Sequence, residues 1–293
     1  MAVDTMLFFQ NLLDYRNSGV LLSASGTAIG FASRYARDPN FATAWKPPDS
    51  ETTNEYLQVD GATTGWLGAA TETAYCAIAY DARGADQTVI GLNVDAADNP
   101  AGTFATNLAN FTLEKTAVGV QYVSFAISST AKRYYRLTQP SASGRGSGTG
   151  KTRTAKVHAW AMFDKDTVFT ISSTPGSVFP HDAVVAHRFQ IVDRTATEET
   201  GVGARMANQY GASGHTFDIP FERGTRELYE AVRDELMKQG GARRANFIQH
   251  EGIRNPSQAS FFLCRLAGDR WGGEKPYIDQ FSISIPFSTE GWN

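Results

Sequence analysis

Short extended segments separated by turn signals fill residues 56–138, and this repetition constrains the fold more than any other feature of the chain. In VQYVSFAI, Val123, Phe125 and Ile127 fall on one face, which is the period of two of a strand and not the period of 3.6 of a helix. Gly, Asn, Asp and Pro stand between the segments, as they do in turns. We therefore predict an antiparallel sandwich or jelly roll, built from YLQVD, YCAIAY, TVIGLNV, FTLEK, VQYVSFAI and KRYYRLT.

A tryptophan and a proline pair stand just before the first of these strands. In Phe41–Gly61, FATAWKPPDSETTNEYLQVDG, Trp45 precedes the Pro47–Pro48 break and the segment YLQVD. A large aromatic side chain beside a turn is typical of the opening edge of a compact β domain. We predict that Trp45 packs inside this domain and stabilises it.

The hydrophobic period changes in the C-terminal half of the chain. Residues 225–239, TRELYEAVRDELMKQ, place Leu228, Val232 and Leu236 at i, i+4 and i+8, the spacing of an amphipathic helix. Thr225 is a suitable N-cap for this helix. Alternating, strand-like segments precede and follow the helix: VVAHRFQIV, HTFDIPF, NFIQ, SFFLCRLA and DQFSISIPF.

These patterns divide the chain into an arm and two modules. Residues 1–20 are predicted to form an N-terminal arm or first strand, and residues 21–165 a jelly roll. Residues 139–152, QPSASGRGSGTGKT, are a Gly/Ser loop of that jelly roll. Residues 166–293 are predicted to form a C-terminal β module with its helix at 225–239. The predicted fold class is mainly β: a jelly-roll sandwich followed by a β-rich module with one packed α-helix.

The charge balance and the N-terminus bear on the partners. The 293 residues include 27 basic and 30 acidic ones, a formal net charge of −3, whereas proteins that neutralise phosphates carry an excess of Lys and Arg. We therefore expect no nucleic-acid partner. The N-terminal stretch MAVDTMLFFQNLLDYR lacks a basic segment, and Gln10 and Asn11 interrupt its apolar residues, so we expect neither a signal peptide nor membrane insertion. Cys76 and Cys264 stand in apolar runs and are predicted to be reduced core thiols.

Two patterns that look like ligand motifs have the wrong spacing. GRGSGTGKT ends in GKT at 150–152, but the first glycine of a phosphate loop would fall on Arg145, and a strand-like segment follows where a helix is needed. His181 and His187 are six positions apart, a spacing that suits neither a helical nor a strand pair of metal ligands. We expect no cofactor and no metal.

No catalytic constellation stands out. The G-x-S-x-G elbow of hydrolases is missing from the sequence. A glycoside hydrolase needs paired carboxylates, whereas Asp60, Asp81 and Asp95 stand at predicted strand ends and are better explained as turn residues. We therefore expect a protein that is not an enzyme, and a polysaccharide depolymerase is the least favoured of three hypotheses.

Aromatic residues provide the candidates for a contact surface. Trp45, Trp66 and Tyr134, with the neighbouring Arg136, have the side chains of a sugar-stacking or subunit-contact surface. Tyr134 and Tyr135 fall on opposite faces of a strand, so only one of them can share a face with a given neighbour. Core packing is the favoured interpretation of these aromatic residues, and the contact surface is the alternative.

The order of these features resembles the galactose-binding-like jelly rolls of the discoidin type. NLLDYRNSG…FASRYARDPNFATAWKPP…EYLQVDGAT resembles their opening, in which a strand leads to a Trp in a loop and then to an L-x-V-D strand. YCAIAYDARGADQTVIGLNVDAAD is similar to the following pair of strands, RYYRLTQP to the penultimate strand and KVHAWAMF to the closing strand. The resemblance implies a galactose-binding-like fold for the first module.

The chain also resembles tail proteins of long-tailed bacteriophages that contain a version of this jelly roll. In those proteins the jelly roll is followed by a segment resembling HRFQIVDRTATEETGVGARMANQYGASGHTFDIPF, then a helix, then FFLCRLAGDRW…FSISIPF. The resemblance covers about residues 7–290 in order. It implies a structural protein of the distal-tail or minor-tail type.

Two further hypotheses therefore rank above the depolymerase. The leading one is a structural subunit of a phage tail or tail tip, which forms a homo-oligomeric ring, contacts other tail proteins and is located in the virion after assembly in the host cytoplasm. Unpaired strand edges and a charge near neutrality agree with self-association. The alternative is a carbohydrate-binding module of the virion that recognises a glycan on the host surface.

Overall fold

The computed structural model describes most of the chain, and the structural statements below concern the residues that it describes. These are residues 5–14, 19–37, 43–48, 54–83, 89–102, 104–114, 118–127, 131–140, 155–171, 190–192, 195–199, 205–209, 214–224, 226–238, 245–251, 259–267, 272–277 and 280–289.

Strands dominate the described residues. The helical segments are a short 3-10 helix, Ser33–Arg37, and one α-helix, α1 (Arg226–Lys238). No helix in the described part of the chain is long and apolar enough to span a membrane. The strands are β1 (Thr5–Phe8), β2 (Leu21–Ala24), β3 (Glu55–Asp60), β4 (Thr73–Asp81), β5 (Val89–Ala97), β6 (Ala105–Glu114), β7 (Val118–Ala126), β8 (Tyr134–Gln139), β9 (Lys156–Phe163), β10 (Val168–Ile171), β11 (Gln190–Val192), β12 (Thr195–Glu199), β13 (Arg205–Gln209), β14 (Gly214–Gly224), β15 (Asn246–Glu251), β16 (Ala259–Leu266), β17 (Gly272–Tyr277) and β18 (Gln280–Thr289).

The chain divides into two compact units. The sandwich unit is Phe8–Phe169, and the C-terminal unit joins Met1–Leu7 to Thr170–Asn293. The chain passes from one unit to the other within β1 and within β10.

Two antiparallel sheets form the sandwich unit. The larger sheet has the strand order β2-β3-β8-β5-β6, and the smaller has the order β7-β4-β9. Side chains from both sheets meet in one hydrophobic core, which is the arrangement of a β-sandwich. The predicted fold class, a mainly β chain with a jelly-roll sandwich followed by a β-rich module with one helix, is confirmed.

Alternating residues of the strands fill this core. Leu57 and Val59 of β3 and Trp160 of β9 have no exposed surface. The buried indole Nε1 of Trp160 donates to the Sγ of Cys76 at 3.2 Å, and burial raises the pKa of the Cys76 thiol to about 12. Cys76 and Cys264 are both free and buried, so the prediction of core thiols is confirmed.

Trp45 closes one side of the core. Its backbone pairs with Val157 of β9 through two hydrogen bonds of 2.8 Å, one in each direction. The indole Nε1 donates to the carbonyl of Gly26 at 3.1 Å, so the polar atom of this buried side chain is paired, as buried polar atoms generally are. Trp45 has no exposed surface, and the prediction that it packs inside the domain is confirmed.

An eight-stranded sheet organises the C-terminal unit. Its order is β10-β1-β15-β16-β18-β14-β11, and β17 pairs with β18. On β18, Ile285 and Phe287 are buried, whereas Pro286 and Ser288 are partly exposed. The alternation predicted from FSISIPF is therefore present in its described side chains. The sequence pattern predicts neither β10 nor β17. β17 contains two glycines and a proline, and both residue types are depleted in strands.

The predicted helix is confirmed as α1. Val232 and Leu236 are buried, and the helix contacts β18. The Nε of Arg226 donates to Oε1 of Glu230 at 2.8 Å, which is the i,i+4 pairing expected on an exposed helix face. Thr225, the predicted N-cap, lies outside the described residues.

A two-stranded sheet joins β12 to β13. Its register runs from Thr195↔Gln209 to Glu199↔Arg205, and in the described part of the chain neither strand belongs to a larger sheet. β11, which precedes it in the sequence, pairs with β14, which follows it. The sequence pattern does not predict β12 or β13, because TATEE and RMANQ lack the apolar alternation that marks a strand with a buried face.

One carboxylate differs from the sequence prediction. Asp60 and Asp81 end β3 and β4, and each accepts a hydrogen bond from the backbone N–H two positions further on, the turn role predicted for them. Asp95 lies inside β5, is 3% exposed and accepts the hydroxyl of Thr138 at 2.6 Å. The prediction that Asp95 is a turn residue is wrong because β5 continues to Ala97.

Some predictions concern residues that the structure does not describe. Residues 141–154, which contain most of the predicted Gly/Ser loop, lie outside the described ranges, as do His181 and His187.

A buried histidine makes the stability of the sandwich unit depend on pH. His158 of β9 is 7% exposed, and its Nδ1 lies 2.8 Å from the carbonyl oxygen of Thr43. Burial lowers the pKa of His158 below its ordinary 6.5; the Thr43 carbonyl and Asp81 oppose this, while Lys156 and Arg83 add to it. The folded state therefore favours the neutral ring, and the unfolded state binds a proton first as the pH falls.

We predict that stability decreases as the pH falls from the ordinary pKa of histidine towards the lower folded pKa. His158→Asn keeps a side-chain N–H donor but has no titratable ring, so it should lose this part of the pH dependence. The free energy of unfolding in urea, compared at about pH 7.5 and about pH 5.5, measures the effect. Equal pH dependence in both proteins would contradict the prediction. Asp81, whose pKa is lowered by Arg83 against the effect of burial, acts in the more acidic range in both proteins.

Candidate functional site

The four predicted contact residues lie in three separate places of the sandwich unit. Trp45 is a core residue beside β9. Trp66 lies in the loop between β3 and β4, and Tyr134 and Arg136 lie on β8. The indole Nε1 of Trp66 donates to the carbonyl of Arg133, the residue before Tyr134. The ring of Trp66 packs with Tyr135 against the core. Tyr134, which is 8% exposed, and Arg136 lie on the opposite face of β8, and Trp45 lies apart from all of them.

Trp66 is held against the backbone by three contacts. Its Nε1 donates to the carbonyl of Arg133 at 2.9 Å, and the same carbonyl accepts the N–H of Gly61 at 3.2 Å. Its ring meets the ring of Tyr135 edge to face at 5.7 Å. A Cβ added to Gly61 would lie 1.9 Å from the indole Cδ1, so the indole packs directly on this glycine. The side chain remains partly exposed.

A tight backbone turn presents Trp66 at the end of β3. Oδ1 of Asp60 accepts the N–H of Ala62 at 2.9 Å, and Ala62 has a φ of 63°. Gly65 and Gly68 have φ values of 80° and 137°, which a residue with a side chain adopts at a cost. The loop is thus folded by local hydrogen bonds and glycines and does not depend on a ligand for its shape.

Lys132 and Arg133, whose carbonyl oxygens accept N–H groups of this loop, each form an ion pair. Nε and Nη2 of Arg133 donate to the two carboxylate oxygens of Asp60 at 2.7 and 2.9 Å, and Nζ of Lys132 donates to Asp98 at 2.6 Å. The hydrogen bond from Arg133 is the largest cause that lowers the pKa of Asp60. We call Asp60, Trp66, Asp98, Lys132 and Arg133 the loop-end cluster. Its charged groups reach solvent: the side chain of Arg133 is 39% exposed and that of Asp98 63%.

A second group of side chains lies on the outer face of the larger sheet. The guanidinium carbon of Arg136 is 3.9 Å from the ring centre of Tyr56 and 3.5 Å from that of Phe104. Its Nε donates to Oε1 of Gln58 at 2.8 Å, and its Nη2 donates to the carbonyl of Pro100 at 3.0 Å. We call Tyr56, Phe104 and Arg136 the arginine stack. Burial lowers the pKa of Arg136 from its ordinary value, while Tyr56 and Asp95 raise it.

Buried polar side chains surround the arginine stack. Gln58 and Asp95 are directly opposite Arg136 in the registers of β3 with β8 and of β5 with β8. Gln58 is 9% exposed, and Asp95, 3% exposed, accepts the hydroxyl of Thr138. The outer face of this sheet is therefore polar yet shielded, and the hydrogen bonds described here fix its side chains.

The residue types of Trp66, Tyr134 and Arg136 predict part of this surface but not the partners of these side chains. Asp60 was considered only as a turn residue, and Tyr56 and Phe104 were not considered as contact residues. Polar residues at every second position of EYLQVD and YYRLTQ are the signal that was available. The pairing Gln58↔Arg136 needs the register, which the alternation alone does not provide.

The chemistry of these two groups is that of hydrogen bonding and stacking. The groups contain guanidinium, ammonium, carboxylate, amide and phenol functions beside aromatic rings, which are the elements of a binding site. Among the described residues, no group of three or more His, Cys, Asp or Glu side chains is arranged to hold a metal ion.

Comparisons with known proteins give weak structural likenesses. No protein-family model and no curated protein matches the sequence. The chain is similar to the family 32 CBM from C. perfringens NanJ, solved in complex with galactose, at 18% identity and a TM-score of 0.35, over 55% of this chain and 99% of that one. It is also similar to discoidin II of Dictyostelium discoideum, at 9% identity and a TM-score of 0.33, over 97% of this chain and 92% of that one. We therefore draw the function from this chain's own side chains.

The contact between Gly61 and Trp66 yields a prediction about stability. Gly61→Ala should destabilise the protein by about 1–3 kcal/mol, because the added methyl group overlaps the indole and must displace it. Gly91→Ala is the matched control, since a Cβ on this strand glycine meets no atom within 4 Å. Urea unfolding of both variants measures the difference. Equal stabilities would show that the indole does not pack on Gly61.

Proposed function

We propose that the sandwich unit is a non-catalytic carbohydrate-binding module and that the loop-end cluster holds the sugar. The observation that carries the proposal is a partly exposed Trp66 whose indole N–H bonds the backbone carbonyl of Arg133, the residue whose side chain forms the bidentate pair with Asp60. An aromatic ring provides a surface for the C–H groups of a sugar, and a neighbouring carboxylate and guanidinium accept from and donate to its hydroxyls.

Preorganisation supports a binding role for this cluster. The indole, the turn after Asp60 and the guanidinium of Arg133 are all held by hydrogen bonds within the protein. A ligand that binds there does not have to order these groups, so less of the interaction energy is lost on binding. The paired charges also nearly cancel, which suits a ligand that is recognised through hydroxyl groups.

Two variants test the proposal by calorimetry against mono- and oligosaccharides, starting with galactose. Trp66→Ala should weaken sugar binding about tenfold or more through loss of the stacking surface. Arg133→Gln should weaken it as well, by removing a donor and the pairing of Asp60. Arg83→Gln is the matched control, because Arg83 forms an equivalent two-bond pair with Asp81 away from the loop-end cluster.

The outcome depends on binding with the fold intact, as judged by circular dichroism and thermal unfolding. Wild-type affinity in folded Trp66→Ala and Arg133→Gln would contradict the assignment of the cluster. Failure of the wild-type protein to bind any sugar of a broad glycan array would contradict the proposed function.

A second function, as an assembly subunit, is supported by the β12–β13 sheet. Two-stranded sheets are marginally stable in water, and their open edges pair readily with further strands. Few apolar residues stand at 195–199 and 205–209, so burial of a hydrophobic face does not explain why these segments form strands. We propose that strands of a neighbouring subunit add to this hairpin, within a ring that contacts other phage tail proteins in the virion.

Removal of the hairpin tests this second proposal. A variant in which a short Gly/Ser turn replaces residues 195–209 should be monomeric, whereas the wild-type protein should be oligomeric. Light scattering after size-exclusion chromatography measures both masses, and circular dichroism controls for folding. A monomeric wild-type protein at about 100 μM, well above the Kd of a stable oligomer, or an oligomeric variant, would contradict the hairpin contact. Detection of the protein by mass spectrometry in purified phage particles tests its location.

A further inference from the structure

The guanidinium of Arg136 has hydrogen-bonding capacity that the protein does not use. A guanidinium carries five N–H donors in a planar fork. One bond from Nε reaches Gln58 and one from Nη2 reaches Pro100. In the described part of the chain, Nη1 has no hydrogen-bond partner. The end of the fork, formed by Nη1 and the second N–H of Nη2, is the edge with which arginine binds a carboxylate.

Two aromatic rings fix the direction of this edge. The guanidinium carbon of Arg136 lies 3.9 Å from the ring centre of Tyr56 and 3.5 Å from the ring centre of Phe104. Arginine stacks on aromatic rings through its flat faces, so its edge is the part that stays available to a ligand. Because Gln58 and Pro100 also hold the group, a ligand would find the fork already oriented.

The positive charge of Arg136 has no ion-pair partner among the described residues. Asp95 is opposite it in the register, and its Oδ2 accepts the hydroxyl of Thr138; the nearby charge of Asp95 raises the pKa of Arg136 without a direct ion pair. Burial is the largest effect on the pKa of Arg136 and lowers it, which means that the charged form is partly desolvated. A partly desolvated cation whose own bonds go to an amide and a carbonyl favours an anionic ligand.

Two tyrosines share the outer face of the sheet with the arginine: Tyr56 is partly exposed, and Tyr134 is 8% exposed. Tyr56 packs against the guanidinium, and Tyr134 is two residues before Arg136 on β8, on the same face of the sheet. Neither hydroxyl has a hydrogen-bond partner among the described residues. A carboxylate has about four acceptor positions; the guanidinium edge supplies two N–H donors, and hydroxyls on the same face are suitable donors for the others.

We propose that Arg136, with the hydroxyls of Tyr56 and Tyr134, binds the carboxylate of an acidic sugar. The proposal rests on the proposed function and specifies its substrate class as a uronic acid-containing glycan. Continuity along β8 favours a glycan over an acidic peptide: the guanidinium of Arg133, in the loop-end cluster, lies over the ring of Tyr134 at 5.1 Å. Arg133 and Arg136 are three residues apart, about 10 Å along a strand, so one oligosaccharide can contact the side chains of both arginines.

The experiment compares an oligogalacturonate with the same oligosaccharide after reduction of its carboxyl groups to neutral hydroxymethyl groups. Calorimetry should show that the wild-type protein binds the acid form about tenfold or more tightly. Arg136→Gln should bind both forms with the affinity that the wild-type protein has for the neutral form. Arg136→Lys, which keeps the charge but loses the fork, should retain only part of the preference. Arg34→Gln is the control, since Arg34 also stacks on a tyrosine ring, Tyr35, at 5.3 Å.

Tyr56→Phe and Tyr134→Phe keep both rings and test the proposal if Arg136→Gln does not fold; each should reduce the preference for the acid form. Equal binding of the two forms by the wild-type protein, with loss of both in Trp66→Ala, would overturn the acidic-sugar site and leave the proposed function standing. Binding of the acid form that needs Arg136 but not Trp66 would support this site and contradict the loop-end cluster. Binding of neither form would overturn the site, as would binding of a hexaglutamate peptide in place of both sugars.

Discussion

The antiparallel pairing of β3 with β8 determines both faces of the larger sheet. Its register sets Leu57 opposite Leu137 on the core side and Gln58 opposite Arg136 on the outer side. Because successive side chains point to opposite faces, a slip of one residue would put the polar set into the core and the apolar set into solvent. The burial of Leu57 and Leu137, both without exposed surface, therefore also fixes the position of Arg136. The arrangement of the outer face therefore depends on the energy of the core.

The neighbouring strands extend this coupling. β5 pairs with the other edge of β8 and places Asp95 opposite Arg136. Asp95 is nearly fully buried and bonded to Thr138, and a buried carboxylate without such partners would be strongly destabilising. The polar side chains Gln58, Asp95 and Thr138 of this outer face are buried, as side chains of a core are. The described hydrogen bonds between them and Arg136 join neighbouring strands. Hydrogen-bond networks of this kind favour one arrangement of the side chains over its alternatives, so we expect this face to be rigid.

The sequence predicted those parts of the fold that depend on local periodicity. The alternation around Phe125 and the spacing of Val232 and Leu236 identified β7 and α1, because in both cases one face is buried. β12, with its polar composition, has no such signal. Asp95 was misplaced because the residues after it look like a loop, and only its pairing with β8 shows that the strand continues.

The candidate site was predictable only in part for the same reason. Trp66 and Arg136 stand out by residue type, but the partners of Arg136 are Gln58 and Phe104, at more than thirty positions of separation in either case. Contacts between residues this far apart in the sequence follow from the order and register of the strands. Order and register depend on the packing energy of the whole sandwich and not on any one segment. Trp45 is the opposite case, because its residue type also suggests a contact residue but its side chain is buried in the core.

The carbonyl oxygen of Arg133 has a consequence for local motion. It accepts both the N–H of Gly61 and the indole N–H of Trp66, so one acceptor at the start of β8 holds the first and the sixth residue of the loop. A local opening that moves this carbonyl away from one of the two N–H donors also removes it from the other donor. The loop and the end of β8 therefore form one cooperative unit in amide hydrogen exchange, and a molecule that rests on the indole would slow exchange at the Gly61 amide without touching it.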